Sequence, residues 1–262
     1  MKPTALSWKL PYGITFPGKP SGRYSDGLTA TDFLAKQLGA KLPYLWRTHG
    51  KKKVKLNRGM NFAFGGSEVF DSPVDRSPNI STQVGFLVNL ALARRVYTID
   101  GDLASSYALL SYSGTDYYGF IDQNPNMAAY PAFVEFIVED IHCNESYSDL
   151  VRLHNESLKK AVAKLNKEDK FRTKGDRFVI VDLHKAFMTI LEKKGNKRFK
   201  SPLKPCCEGD CARMDMKGAK KYTLCNDPKS AFFWDEINPT QEGWRSIYSL
   251  LGKSLTESLT KG

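Results

Sequence analysis

No stretch of the 262-residue sequence approaches the ~20 consecutive apolar residues that a membrane-spanning helix needs. The opening, MKPTALSWKLPYG, lacks the ~7–15 apolar residues of a secretory leader's core. As written, the chain is expected to be cytosolic or to have lost its own beginning. Acidic residues are in short supply: 28 Asp plus Glu stand against 39 Lys plus Arg, a net charge of +11. Such a balance favours anionic partners such as nucleic acids, acidic lipids or cell-wall polymers, and says little about fold. The basic residues are dispersed over "THGKKKVK", "ESLKKAVAKLNKEDKFRTKGDR" and "EKKGNKRFKSPLK". No dense tract with interleaved aromatics marks a nucleic-acid surface, so a solvated basic exterior is expected and a specific nucleic acid is not.

The five cysteines form no C-x2-C knuckle, and no histidine lies near the group Cys206, Cys207, Cys211 and Cys225. A zinc-dependent module built on these four is therefore the weaker reading, and no metal or other cofactor is expected. Adjacent cysteines in a Lys- and Gly-rich loop read better as disulfide partners for distant segments. The odd total leaves one thiol unpaired, a second hint of a missing piece.

No internal repeat or low-complexity linker divides the chain, so residues 1–262 are read as one domain. "ATDFLAKQL" has helical spacing and is closed by Gly39. "MNFAF" is an apolar strand candidate running into the turn Gly65-Gly66. "ISTQVGFLVNLALARR" predicts a helix with Ser81 as its cap, and "YALLSY" a buried strand feeding a loop. "YPAFVEFIVEDI" and "YSDLVRLHNESLKKAVAKL" predict further helices, the second long and amphipathic. "RFVIVDLH" reads as a strand before the helix "KAFMTILEKK", and "FFWDEI" precedes the helix "PTQEGWRSIYSLLGKSL". Strands alternating with helices indicate α/β architecture with a mainly parallel sheet, whose functional loops follow the strands' C-terminal ends.

Those loops resemble the plant GDSL esterase/lipase family, a branch of the SGNH hydrolases. "PYGITFPGKPSGRYSDGLTATDFLAKQLG" resembles its stretch P-Y-G-x-x-F-x-G-x-P-x-G-R-x-S-D-G and the helix after it. "GMNFAFGGS" is similar to the second block, and "SGTDYY" to the third, normally Gly-x-Asn-Asp. "FFWDEINPTQEGW" is similar to the last, normally W-D-x-x-H-P-T-E, while "KPCCEGD" and "LCNDP" resemble the cysteine-bearing loop. The resemblance covers nearly the whole chain in the correct order. It implies a three-layer fold around a mainly parallel sheet, hydrolysis of ester or lipid-like small molecules, no cofactor, and secretion.

In that family a serine of an N-terminal Gly-Asp-Ser-Leu block attacks the ester carbonyl, a histidine takes its proton, and an aspartate three residues earlier orients the histidine. The serine's amide, a glycine amide and an asparagine side chain donate to the oxyanion. Carried over residue by residue, Gly66 matches the oxyanion glycine and Asp235 the orienting aspartate. Thr115 stands at the oxyanion asparagine's position, and Asn238 at the histidine's. No Gly-Asp-Ser-Leu occurs, and Ile141-His142 runs straight into Cys143 where the family has a further strand and loop. The sheet is thus expected to lack its first strand and a later one, with a deletion near 141–143. Loss of a triad member costs on the order of 10⁶ in turnover, so the chain is expected to be an inactive or nearly inactive homologue. The alternative is a non-catalytic basic protein that binds acyl ligands or anionic surfaces.

Plainer roles compete at each position. Asn238-Pro239-Thr240-Gln241 is a well-formed helix start, with Asn238 as cap and Gln241 as its capping-box partner. Asp235 could bond local amides, and Gly65-Gly66 could supply only positive-φ freedom. His154 shares an apolar face with Val151 and Leu158 and is expected to be a packed core histidine. Asp182 and His184 offer an acid–base pair with no nucleophile beside them.

Overall fold

The computed structural model describes residues 5–46, 58–69, 77–93, 97, 101, 106–111, 145–168, 178–192 and 198–260, with only the backbone described for 93, 145–150 and 260. The chain is of the α/β class and divides into two compact units, Met1–Leu42 with Thr173–Gly262, and Pro43–Arg172.

In the first unit, helix α1 (Ala30–Gln37) starts where Asp32 reaches back to accept the amide of Thr29 at 2.8 Å. It ends at Gly39, whose φ of +64° a side chain would strain. Helix α4 (Leu183–Leu191) is capped by Asp182, which accepts from the Lys185 amide at 2.9 Å. Helix α5 (Gln241–Thr260) is capped by Thr240, whose hydroxyl accepts from the Gly243 amide at 2.9 Å and donates to the Ala231 carbonyl at 2.7 Å. A Cβ on Gly243 would meet the Phe232 carbonyl at 2.3 Å, so only glycine lets this helix lie so close to the segment that precedes it. Apolar faces of the three helices meet in one core: Phe33, Leu34, Ala186, Ile190, Ile247 and Leu255, with Phe199 and Phe232 between them. Each such side chain contributes about 1.5–3 kcal/mol on burial.

Strands β3 (Cys207–Met214) and β4 (Lys220–Leu224) form an antiparallel hairpin, which the Lys- and Gly-rich sequence does not suggest. Cys207 pairs with Leu224 in its register, so the residues flanking them, Cys206 and Cys225, are brought side by side and bridged. Cys207 and Cys211 form the second disulfide. The expectation of distant partners is therefore corrected: both bridges are local, the first set by the hairpin register and the second closing across four residues within β3, where the register shifts. They also consume the four thiols that a zinc module would need. Among the described residues no cluster of His, Cys, Asp and Glu could hold a metal, and no helix is long and apolar enough to cross a membrane. Cys143 lies outside the described residues.

In the second unit, β1 (Tyr44–Leu45) and β2 (Met60–Asn61) pair in parallel. Trp46 stacks on Phe86 at 4.9 Å and approaches Phe62 at 5.6 Å. Helix α2 (Ile80–Val88) is capped by Asn79, which accepts from the Thr82 amide at 2.8 Å. The cap is thus two residues before the expected Ser81. Helix α3 (Glu145–Glu168) buries Val151 and His154. The expected helix over "YPAFVEFIVEDI" lies outside the described residues.

Two strand expectations are revised. Residues 178–182 belong to no strand among the described residues; Val179 and Val181 pack against the helical core instead, and the Leu183 amide donates to the Val181 carbonyl as the chain turns into α4. Residues 107–111 likewise belong to no strand among the described residues, with Leu110 72% exposed.

The α1 start yields a pH test. The Arg23 guanidinium forks onto both oxygens of Asp32 at 2.7 Å. Burial pushes the Asp32 carboxyl up, but hydrogen bonds from Arg23 and Thr29 outweigh it, and the net value falls below the ordinary 3.8. A carboxyl depressed in the folded state contributes stability above its unfolded value and loses it as pH falls through the folded one. Arg23→Gln is therefore expected to lower the denaturation midpoint at neutral pH, with the gap from the parent closing below pH 3.8. A gap that persists in acid would assign the effect to packing.

Candidate functional site

The site begins with the backbone of residues 232–240. The Phe233 and Trp234 carbonyls accept from the Cys206 and Cys207 amides at 3.0 and 2.7 Å, which fixes this segment to the start of β3. The Trp234 amide then donates to the Asn238 carbonyl at 2.7 Å, folding 234–238 into a turn that opens into α5. Asp235 lies inside that turn and is buried.

Its carboxylate is met from every side. Oδ1 accepts from the Ile237 amide at 3.0 Å, the Asn238 amide at 2.7 Å and Asn238 Nδ2 at 3.0 Å. Oδ2 accepts from Asn238 Nδ2 at 3.1 Å and from the Tyr12 hydroxyl at 2.9 Å. A carboxylate only accepts, so the amide of Asn238 must turn its NH2 toward it. Burial pushes the Tyr12 phenol far above its ordinary range, and the charge of Asp235 and the hydrogen bond between them push it further. Tyr12 is therefore a neutral, fixed donor. Asp235 both builds the turn through local amides and holds the side chain at 238.

Asn238 is not the helix cap: Thr240, two residues on, takes that role. Nor does Gln241 close a capping box with it, since its Oε1 accepts from the Leu28 amide at 3.0 Å. Asp26, buried, accepts the Gln241 amide at 2.7 Å, and Ser25 donates to the Pro239 carbonyl at 3.0 Å. The segment "SDG" thus clasps the segment "NPTQ" and places a carboxylate at the N-terminus of α5, where the helix dipole favours it. Neither that clasp nor the Tyr12 contact is visible in the sequence, because each joins residues more than 210 positions apart. The only sequence signal was that both ends carry polar blocks of one family.

Gly66 sits at φ +73° in an exposed turn after β2. That angle requires glycine whatever else its amide does. It belongs to the second unit, whereas Asp235 and Asn238 belong to the first. Thr115 lies outside the described residues. Asp182 is spent on capping α4, so the Asp182–His184 pair has a structural explanation.

Comparison with known proteins agrees with the blocks. The family described as GDSL-like lipase/acylhydrolase matches residues 12–251. The chain is 88% identical to the Arabidopsis thaliana protein "GDSL esterase/lipase At5g03590", covering 100% of this chain and 86% of that protein. It is 53% identical to "GDSL esterase/lipase At5g03600" of the same plant, over 97% of this chain and 89% of the relative. No solved structure matches. The first alignment runs over 297 positions against the chain's 262 residues, a difference of 35 positions that face gaps. The chain belongs to the GDSL-like lipase/acylhydrolase family, a family of esterases and lipases.

Proposed function

We propose that this chain is a degenerate member of its family, descended from enzymes that hydrolyse lipid or acyl esters and itself without efficient ester hydrolysis. The carrying observation is the amide of Asn238 lying on both oxygens of Asp235. A histidine at that position would donate one ring N–H to the carboxylate and offer its other nitrogen as the base. The asparagine makes the same donation but offers only an amide carbonyl, which takes up no proton near neutral pH. On this reading Asp235 is the orienting aspartate in vestigial form. Gly66 retains the oxyanion turn, and Thr115 replaces an amide donor by a shorter hydroxyl.

The nucleophile has no candidate, since no Gly-Asp-Ser-Leu occurs in the sequence. The alignment with the first relative is 35 positions longer than the chain, in keeping with an internal deletion, which we place near 141–143 within a single family domain. A strand lost there from the parallel sheet would leave apolar runs without neighbours. The exposed Leu109 and Leu110 are such a run. The two disulfides favour an oxidising compartment, in keeping with a secreted ancestry.

Fluorophosphonate labelling of the pure protein tests the reading directly. No serine is expected to label at a rate above that of denatured protein. Stoichiometric labelling, abolished by changing one serine, would overturn it.

A further inference from the structure

We propose that the β3–β4 hairpin is a docking element for anionic phospholipid bilayers. Its tip, residues 213–221, reads "RMDMKGAKK": four cations and one carboxylate. That carboxylate is used inside the turn. Asp215 Oδ1 accepts from the amides of Lys217 and Ala219, both at 2.8 Å, and the Asp215 amide donates to the Ala219 carbonyl at 2.8 Å. Gly218, at φ +82°, completes the turn. The result is a fixed tip that holds Met216 fully in solvent and Met214 half out, among the exposed Arg213, Lys217 and Lys220.

The base of the hairpin is equally fixed. Both disulfides lie there, and Tyr222, Cys206 and Cys207 are buried against Trp234 and Tyr12. Two methionines held apart from any core are of no use to folding. Placed within a ring of cations, they suit a surface that is anionic outside and apolar beneath. Methionine's flexible, polarizable side chain adapts to such irregular apolar surroundings, and juxtamembrane cations are attracted to acidic headgroups. A soluble polyanion would satisfy the cations and leave the methionines in water, so the pairing of the two selects a bilayer. The proposal goes beyond the catalytic reading, since vesicle binding is measured without ester turnover.

The test uses the full chain with its disulfides intact, sedimented with vesicles of phosphatidylcholine alone or mixed with phosphatidylserine. Binding is expected only to the mixed vesicles. Arg213→Gln, Lys217→Gln and Lys220→Gln together should weaken it roughly 100-fold, about five-fold per cation. Met214→Ser with Met216→Ser should weaken it about ten-fold or more. All five positions are exposed, and unchanged melting curves show that the variants fold. Met216→Trp should add a blue-shifted emission with mixed vesicles that the parent does not show. Binding unaltered in both variants, equal binding to neutral vesicles, a missing blue shift, or a lipid-independent dimer formed through Met216 would each overturn the proposal.

Discussion

Asn238→His alone is expected to leave the protein without measurable ester hydrolysis, whereas the same change in a restored chain should raise turnover by several orders of magnitude. The restored chain carries the family's Gly-Asp-Ser-Leu segment and the strand proposed to be missing near 141–143. The reason lies in the geometry at Asp235. Asn238 Nδ2 already stands 3.0 and 3.1 Å from the two carboxylate oxygens, so an imidazole there inherits an orienting partner. A base without a nucleophile has nothing to deprotonate, which is why the single change is silent. In the restored chain the two versions should differ by on the order of 10⁶ in hydrolysis of a short-chain nitrophenyl ester, the cost of losing the base in a serine hydrolase. Equal rates would mean that position 238 never held the base. Helix α5 should tolerate the change, because Thr240 and Asp26 cap it and Asn238 does not.

Asp235→Ala is expected to destabilise the first unit by on the order of 3 kcal/mol. The substitution strands the Tyr12 hydroxyl, the amides of Ile237 and Asn238, and the NH2 of Asn238. Each buried donor left unmade costs about 1–3 kcal/mol, partly recovered where water enters. Tyr12→Phe removes one donor and spares the others, so it should cost about 1 kcal/mol. Urea melts followed by tryptophan emission would report both, since Trp234 adjoins the site. If the two variants melt alike, the turn from 234 to 238 stands without its carboxylate.

What the sequence revealed here follows from what is periodic and local. The helices α1, α3 and α5 were legible because apolar residues recur along one face, and Gly39 marks a real end. The pair Asp235–Asn238 was legible because a spacing of three within one block survives any fold. Caps were misassigned by two residues at both Asn79 and Thr240, since Ser81 and Asn238 are equally good cap chemistry. Only the direction from which the chain enters the helix decides between them. The hairpin was missed because "CEGDCARMDMKGAKKYTLC" has poor strand composition; its pairing is held by the Cys206–Cys225 disulfide and by burial of Cys207, Cys211, Ala212 and Tyr222 in one cluster with Trp234. Tyr12 and Asp26 were invisible for a different reason. Their partners lie at the opposite end of the chain, and nothing local announces a contact of that range.

The first unit is discontinuous, assembled from Met1–Leu42 and Thr173–Gly262, and this imposes an order on its biosynthesis. A ribosome adding ~5–20 residues per second takes roughly 7–26 s to make the 130 residues between the two pieces. Throughout that interval Phe33 and Leu34 have no core to enter, and Asp26 has no helix to cap. The Cys206–Cys225 bridge, by contrast, spans only 19 residues and can close as soon as its second cysteine emerges. The hairpin is thus ready before α5 exists, and the N-terminal segment must be kept from other partners until the very last turn of chain is released. Nascent chains arrested before Gln241 should therefore expose residues 5–42 to protease while protecting 206–225.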